Sequence, residues 1–371
     1  MRVKLGDIFE IGSGGTPSKS HPEYYDGDIP WVKTGDLKSE YLYEVEDFIT
    51  EDGLKNSSAK LYETDTVLIA MYGATIGATS ILKMSACTNQ ACAAFKKNDK
   101  VIPEYLYYFL KSQKEKFVKD GVGGAQPNIS AGYLKKVEME LPSLEEQKAI
   151  VDILDKTSNV VCKRNEEIQS LDELIKARFV EFFGDRYVND KNWNTTKLGE
   201  SISFNNGKAH EQVVDENGEY ILVTSRAIAS DFEDVRRTNT LLFPLHKNDI
   251  VMVMSDVPNG KALAKCQLID SDDKYTLNQR ICSFDNYEYD PIFLLHLLNR
   301  HPYFLSFNDG NGQTNLRKND ILECELIVPP MELQEQFAAF VHQVDKSKVA
   351  VQKALEETQL LFDSLMQKYF G

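Results

Sequence analysis

Leu141-Pro142-Ser143-Leu144-Glu145-Glu146-Gln147 opens a stretch that runs on to Glu181-Phe182-Phe183-Gly184, and the fold turns on how it is read. Val328-Pro329-Pro330-Met331-Glu332-Leu333-Gln334 opens a second stretch of the same kind, ending at Lys368-Tyr369-Phe370-Gly371. A shift of 187 residues carries Pro142 onto Pro329 and Gly184 onto Gly371 without a gap. Proline at the start, Ser143 with Glu146 three residues on as a capping box, and Gly184 as a stop together predict a long helix. In the second copy Pro330 replaces Ser143, so that start rests on proline chemistry.

Within copy one, Ile150, Leu154, Thr157, Val161, Arg164, Ile168, Leu171, Ile175, Arg178 and Phe182 recur in a 4-3 rhythm. Phe337, Val341, Val344, Lys348, Val351, Leu355, Thr358, Phe362, Leu365 and Tyr369 do the same in copy two. A heptad seam this long is the signature of a coiled coil. A homodimer of copy one would stack Arg164 and Arg178 in its own seam, whereas pairing copy one with copy two dilutes them. The two helices are therefore expected to pair antiparallel within one chain, each about 55–60 Å long. The alternative is two independent amphipathic helices, each lying on its own domain.

Working outward, the repeat embraces the whole chain. Ile29-Pro30-Trp31-Val32-Lys33-Thr34 corresponds to Tyr220-Ile221-Leu222-Val223-Thr224-Ser225, and Thr88-Asn89-Gln90 to Leu277-Asn278-Gln279. Asp65 and Asp249 each begin an apolar strand, and Pro103 and Pro291 each begin a short buried helix. Gly124-Ala125-Gln126-Pro127-Asn128-Ile129 matches Asn311-Gly312-Gln313-Thr314-Asn315-Leu316. The expected organisation is α+β: globule 1–142, helix 143–185, globule 186–329, helix 330–371, with the globules related by a pseudo-two-fold. Between the matched blocks the globules share almost nothing. That suits one scaffold carrying two different reading surfaces.

The formal net charge of −15, spread along all 371 residues, argues against solitary binding to nucleic acid. An acidic chain still supplies base-edge contacts if basic partners neutralise the phosphates. The six cysteines show no CxxC pair and no zinc spacing, and residues 1–12 carry no apolar core of a signal peptide. No run is long and apolar enough to span a bilayer. A cytoplasmic protein without metal or membrane is expected.

Catalytic motifs are missing too. There is no GxxxxGK[ST] loop and no Asn-Pro-Pro-Tyr-like motif, and Gly12-Ser13-Gly14-Gly15-Thr16-Pro17 reads as a glycine-rich turn, not a dinucleotide site. Gly73-Ala74-Thr75-Ile76-Gly77 reads as strand plus tight turn. The six histidines are scattered and read as surface or packing residues. What recurs is amide-rich: Asn89/Gln90 with Asn278/Gln279, Gln126/Asn128 with Gln313/Asn315, and Thr34 with Ser225. Amides read adenine edges and arginine reads guanine. Asn and Gln also hold turns through backbone hydrogen bonds, which is the stronger reading for Asn89 and Asn278. Lysines and arginines that differ between the copies, including Lys19, Lys33, Lys38, Lys208, Arg226, Arg236, Arg237 and Arg317, are candidates for differing specificity.

Together Leu5-Gly6-Asp7, Ser13-Gly14-Gly15-Thr16-Pro17, Ile29-Pro30-Trp31-Val32, Gly73-Ala74-Thr75-Ile76-Gly77, Asn89-Gln90 and residues 141–148, repeated more loosely in the second half, resemble the specificity subunits of type I restriction-modification systems. The resemblance implies a non-catalytic subunit without cofactor, whose two target recognition domains are joined by two antiparallel helices. Each domain would read half of a bipartite double-stranded DNA site. The partners implied are two DNA adenine methyltransferase (M) subunits and, through the complex, restriction (R) subunits. The expected DNA-contacting residues are Ser13, Gly14, Thr16, Lys19, Lys33, Thr34, Gln126 and Asn128 in the first domain. In the second they are Lys208, Ser225, Arg226, Gln313, Asn315 and Arg317. The second domain departs from the pattern where Lys208 follows Asn206-Gly207. Two alternatives stand beside this: the recognition subunit of a two-subunit restriction enzyme cutting both sides of its site, and a coiled-coil adaptor that binds only protein.

Overall fold

Both long stretches are helical. In the computed structural model, which describes residues 1–121, 128–186, 188–210, 214–257, 260–310 and 312–371, four helices matter here. They are α1 (Pro103–Ser112), α2 (Leu144–Phe183), α3 (Pro291–Leu298) and α4 (Met331–Phe370). The capping box forms as expected: the Ser143 amide donates to Glu146 Oε2 at 2.9 Å, and the Glu146 amide to Ser143 Oγ at 3.3 Å. Gly184 ends α2 at φ +78°, in the left-handed region.

The chain divides into two compact units, residues 1–165 with 353–371, and residues 166–352. Each long helix thus gives one half to each unit. In unit 1, Val151 and Leu154 of α2 share a core with Phe362, Met366 and Phe370 of α4. In unit 2, Phe179 and Phe183 of α2 meet Phe337 of α4 edge-on, at ring-centroid distances of 5.4 and 5.6 Å. The start of α2 therefore lies along the end of α4 and its end along the start of α4, so the helices run antiparallel. No heptad position of either seam is fully exposed. Three of the polar interruptions, Arg164, Lys348 and Thr358, are satisfied across the seam, while Thr157 and Arg178 bond within α2, to the Ile153 carbonyl and Glu181. Arg164 donates to the Ala354 carbonyl and the Thr358 hydroxyl, and the Lys348 ammonium lies 2.6 Å from Asp172.

A second device ties each helix to its globule. Gln147 and Gln334, equivalent under the repeat, are 0% and 2% exposed. Gln147 Oε1 accepts from the Ile102 amide at 2.9 Å, and its Nε2 donates to the carbonyls of Lys100 and Pro142 at 2.9 and 3.0 Å. Gln334 Oε1 accepts from the Asp290 amide at 3.0 Å and its Nε2 donates to Pro329 at 2.8 Å. Ile102 and Asp290 are the N-cap residues of α1 and α3. Each glutamine thus joins a long helix to the start of a short buried one.

In unit 1 the strands that position the site are β1 (Ile11–Ser13), β2 (Tyr25–Val32), β3 (Val67–Ala70), β4 (Ala86–Thr88) and β5 (Cys92–Phe95). β5 pairs antiparallel with β1 and β3, and β2 pairs parallel with β4. Every residue of β3 and β5 is buried, as expected for strands covered on both faces. Unit 2 repeats this with β6 (Ser203–Asn206), β7 (Tyr220–Val223), β8 (Arg236–Thr238), β9 (Ile250–Val253), β10 (Tyr275–Leu277) and β11 (Ile281–Asp285). Here β11 pairs antiparallel with β6 and β9, and β7 pairs parallel with β10 and antiparallel with β8. Among the described residues no helix is long and apolar enough to cross a membrane.

Candidate nucleic-acid interface

Strand polarity gathers distant segments at one edge of unit 1. Because β5 runs against β1 and β3, its start lies beside their ends. β4 runs with β2 and turns through residues 89–91 into β5, so the ends of all four strands meet there. Backbone hydrogen bonds fix the junction: Gly15 N–H to Thr88 O at 2.9 Å, Asn89 N–H to Val32 O at 2.9 Å, Met71 N–H to Ala91 O at 2.8 Å and Ile129 N–H to Met71 O at 3.0 Å. Residues 13–16, 33–34, 72–75, 89–91 and 128 thereby share one rim.

Some expected contact residues hold this rim together from within. Gly14 is buried, and a Cβ there would sit 1.9 Å from the Thr88 carbonyl oxygen, so only glycine permits the approach. The Thr16 hydroxyl donates to Gln90 Oε1, and the Trp31 indole donates to the Gly15 carbonyl at 3.0 Å. Lys33 lies 2.6 Å from Asp47 and over the Trp31 ring at 5.4 Å. Thr34 opens a 3₁₀ turn and is half-buried, as is Ser13 at the end of β1. Asn89 behaves as a turn residue, its Oδ1 accepting from the Ala91 amide at 3.1 Å. Asn128 is exposed and bridges to the exposed Tyr72, a rim residue that sequence reasoning missed. Lys19 is exposed in the turn beyond Pro17. Gln126 lies outside the described residues.

Unit 2 repeats the junction with different side chains. Lys208 N–H donates to Leu277 O at 3.0 Å, Asn278 N–H to Val223 O at 3.3 Å, Met254 N–H to Arg280 O at 3.3 Å and Leu316 N–H to Met254 O at 2.8 Å. These bonds put Gly207 where Gly14 stands, Lys208 at Gly15, Ser225 at Thr34, Arg226 at Gly35 and Arg280 at Ala91. Gly207 meets the same constraint, since a Cβ there would lie 2.1 Å from Asn278 O. Gln313 and Asn315 are exposed, Asn315 pairing with Ser255, and Arg317 is exposed at the N-cap of the Lys318–Leu322 helix. Arg237 turns away and donates to the carbonyls of Gly218 and Glu219, both at 3.4 Å. A cleft of about 300 Å³ opens at this rim between Arg226, Arg236 and Arg280. Arg280 was missed because nothing in the first copy marks it: Ala91 stands there.

Burial pushes the Cys87 thiol up to about 11 and the Cys92 thiol up to about 12, so neither ionises near neutral pH. Among the described residues no group of three or more His, Cys, Asp or Glu side chains could hold a metal ion. The chemistry on offer is hydrogen bonding from exposed amides, hydroxyls and guanidinium groups mounted on the same backbone junction in each unit.

The family model for the type I restriction modification DNA specificity domain matches residues 1–173 and again 190–359, once over each half of the repeat. The chain belongs to this family. It is 26% identical to the type I restriction enzyme MjaIX specificity subunit of Methanocaldococcus jannaschii, over 98% of this chain and 91% of that one. The EcoR124I/EcoR124II specificity subunit of Escherichia coli is 27% identical over 49% of this chain and 46% of its own length. In fold, this specificity-family chain is similar to the S subunit of a type I restriction-modification system from M. genitalium, with a TM-score of 0.54 and 16% identity over 100% and 96% of the two chains. A chain solved in work on complex assembly and conformational transition of the type I R-M system gives 0.65 and 15%, over 100% and 97%.

Proposed function

We propose that this specificity subunit reads a bipartite double-stranded DNA site, one half with each rim. Segments 1–142 and 186–329 act as target recognition domains, and segments 143–185 and 330–371 set the spacer and dock two DNA adenine methyltransferase subunits. Restriction subunits join through that complex. The chain works in the cytoplasm, carries no catalytic group of its own and takes no cofactor. Ser13, Gly14, Thr16, Lys19, Lys33, Thr34, Gln126 and Asn128 shape or contact one half-site. Lys208, Ser225, Arg226, Gln313, Asn315 and Arg317 shape or contact the other.

One observation carries this: two units repeat the same backbone junction, bond for bond, and differ in the side chains mounted on it. A duplicated catalytic site would keep its side chains, whereas two readers of different sequences must change them. The test is to map N6-methyladenine across the genome of a host expressing the chain with its methyltransferase partner, and again without the chain. One split motif should appear only with the chain. Unchanged methylation in its absence would favour a protein-only adaptor.

A further inference from the structure

The two rims differ most in charge. In unit 1 Lys33, at the end of β2, is paired with Asp47 at 2.6 Å. The position of Asp47 in the register, opposite Trp31, is taken in unit 2 by Arg236, opposite Leu222. Gly35 and Ala91 are likewise replaced by Arg226 and Arg280. Arg226 has a loose ion pair with Asp234 at 3.5 Å, both side chains being mostly exposed. Among the described residues no carboxylate lies within ion-pair distance of Arg236 or Arg280. All three arginines line the cleft of about 300 Å³, beside Ser225 and Asn278. In a chain of net charge −15, three arginines converging on one rim call for an acceptor-rich ligand.

We propose that this cleft is a guanine-reading subsite, with Arg280 and Arg236 supplying the forked donors that match guanine O6 and N7 in the major groove. It rests on the reading of the rims as DNA-contacting surfaces and adds the base that one of them takes. Phosphate oxygens present the same acceptors to a guanidinium, and the repeat separates the two ligands. Phosphate contacts are independent of sequence and fix the register of protein on duplex, so both units would keep them on their shared scaffold. Base contacts must differ between domains that read different sequences. All three arginines are confined to unit 2, and each replaces a residue that is not basic. Arginine, not lysine, at every corner fits a planar bidentate acceptor. The hydroxyl of Ser225 and the amide of Asn278 beside them offer base-edge donors and acceptors as well.

The test uses the full chain with its methyltransferase partner in a host whose N6-methyladenine sites are mapped. The wild-type complex should give a split motif with at least one G·C pair in the half that changes when segment 186–329 is exchanged. Arg280→Gln and Arg280→Lys should both relax that position, raising methylation of sites with another base there by about 5- to 150-fold relative to the guanine site. The other half and the spacing should stay intact. Arg236→Gln, at an exposed residue of β8, repeats the test independently of the turn that carries Arg280. A half-site without a G·C pair, or a motif unchanged in both Gln variants, would overturn the proposal. So would a uniform loss of binding with a salt slope reduced by about one, retained in Arg280→Gln but rescued in Arg280→Lys, since that marks a phosphate contact. Failure of the wild-type complex to methylate any split motif would instead sink the underlying reading of the rims.

Discussion

Gln147 and Gln334 show how much one residue settles. Each is buried at the head of a long helix and spends its amide on backbone groups of its own globule. Leucine in its place keeps the volume and strands an N-cap amide of a short helix without a partner. An unsatisfied buried donor costs about 1–3 kcal/mol. Gln147→Leu is therefore expected to lower the unfolding free energy of unit 1, read by urea titration, and Gln334→Leu that of unit 2, each by that order, and the effects should add because the sites share no partner. Loss of stability in neither would mean that water replaces these bonds. Sequence alone shows both glutamines at matched positions, yet with Glu145, Glu146 and Glu335 beside them nothing in the composition of the segment marks them as buried. Burial of one polar side chain among charged ones leaves no periodic trace. The rim arginines were only partly legible for a related reason: a residue that replaces alanine in the other copy is invisible to a comparison of copies.

At the scale of elements, the long helices and their pairing were legible because a heptad rhythm records burial every third and fourth residue. The mixed strand order was not. Strands here are two to eight residues long, and their partners lie far along the chain: Trp31 pairs with Cys87, and Ile11 with Phe95. The join between α2 and the first globule also has its own electrostatics. Asp155 of α2 accepts a hydrogen bond from Tyr108 of α1 at 2.7 Å, with Glu40 and Glu104 close by. Burial first, and then repulsion within this group, holds the Glu40 and Asp155 carboxyls above their ordinary range. A raised carboxyl pKa favours the folded state while the group is protonated, so this contribution fades as pH rises through the folded pKa. Asp155→Asn keeps an acceptor for Tyr108 and removes the charge. It is expected to raise the melting temperature at pH 8 and to change it less at pH 5; a lower melting temperature at pH 8 would contradict the sign.

For the whole molecule the same acidification acts oppositely on the two units. In unit 2 burial, followed by the neighbouring positive charge of Arg186, pushes His296 and His301 down to about 4. Arg186 itself is held by the carbonyls of His296, Asn299 and Arg300 at 2.9 to 3.2 Å, at the end of α3. Both histidines are neutral in the folded state, so their contribution is present above their ordinary pKa and is lost as pH falls from about 6.5 towards 4. Between pH 7 and pH 5, hydrogen exchange corrected for intrinsic rates is expected to quicken around α3 and to stay level or slow around α1. Equal changes in both would show that the histidines are hydrated. At the same scale, replacing segment 1–142 with the matching segment of a relative should alter one half of the methylated motif and leave the other half and the spacing unchanged. Alteration of both halves would mean that the rims do not read independently.

The buried glutamine has one more consequence. It offers a carbonyl acceptor and an NH2 donor, and what it asks of the globule is backbone alone: carbonyls, which every residue supplies, and one amide at the start of a short helix, which every residue type but proline supplies. The joint is therefore indifferent to the letters mounted at the strand ends. Such a fitting separates vocabulary from chassis: a new half-site word can be installed without renegotiating how it is carried.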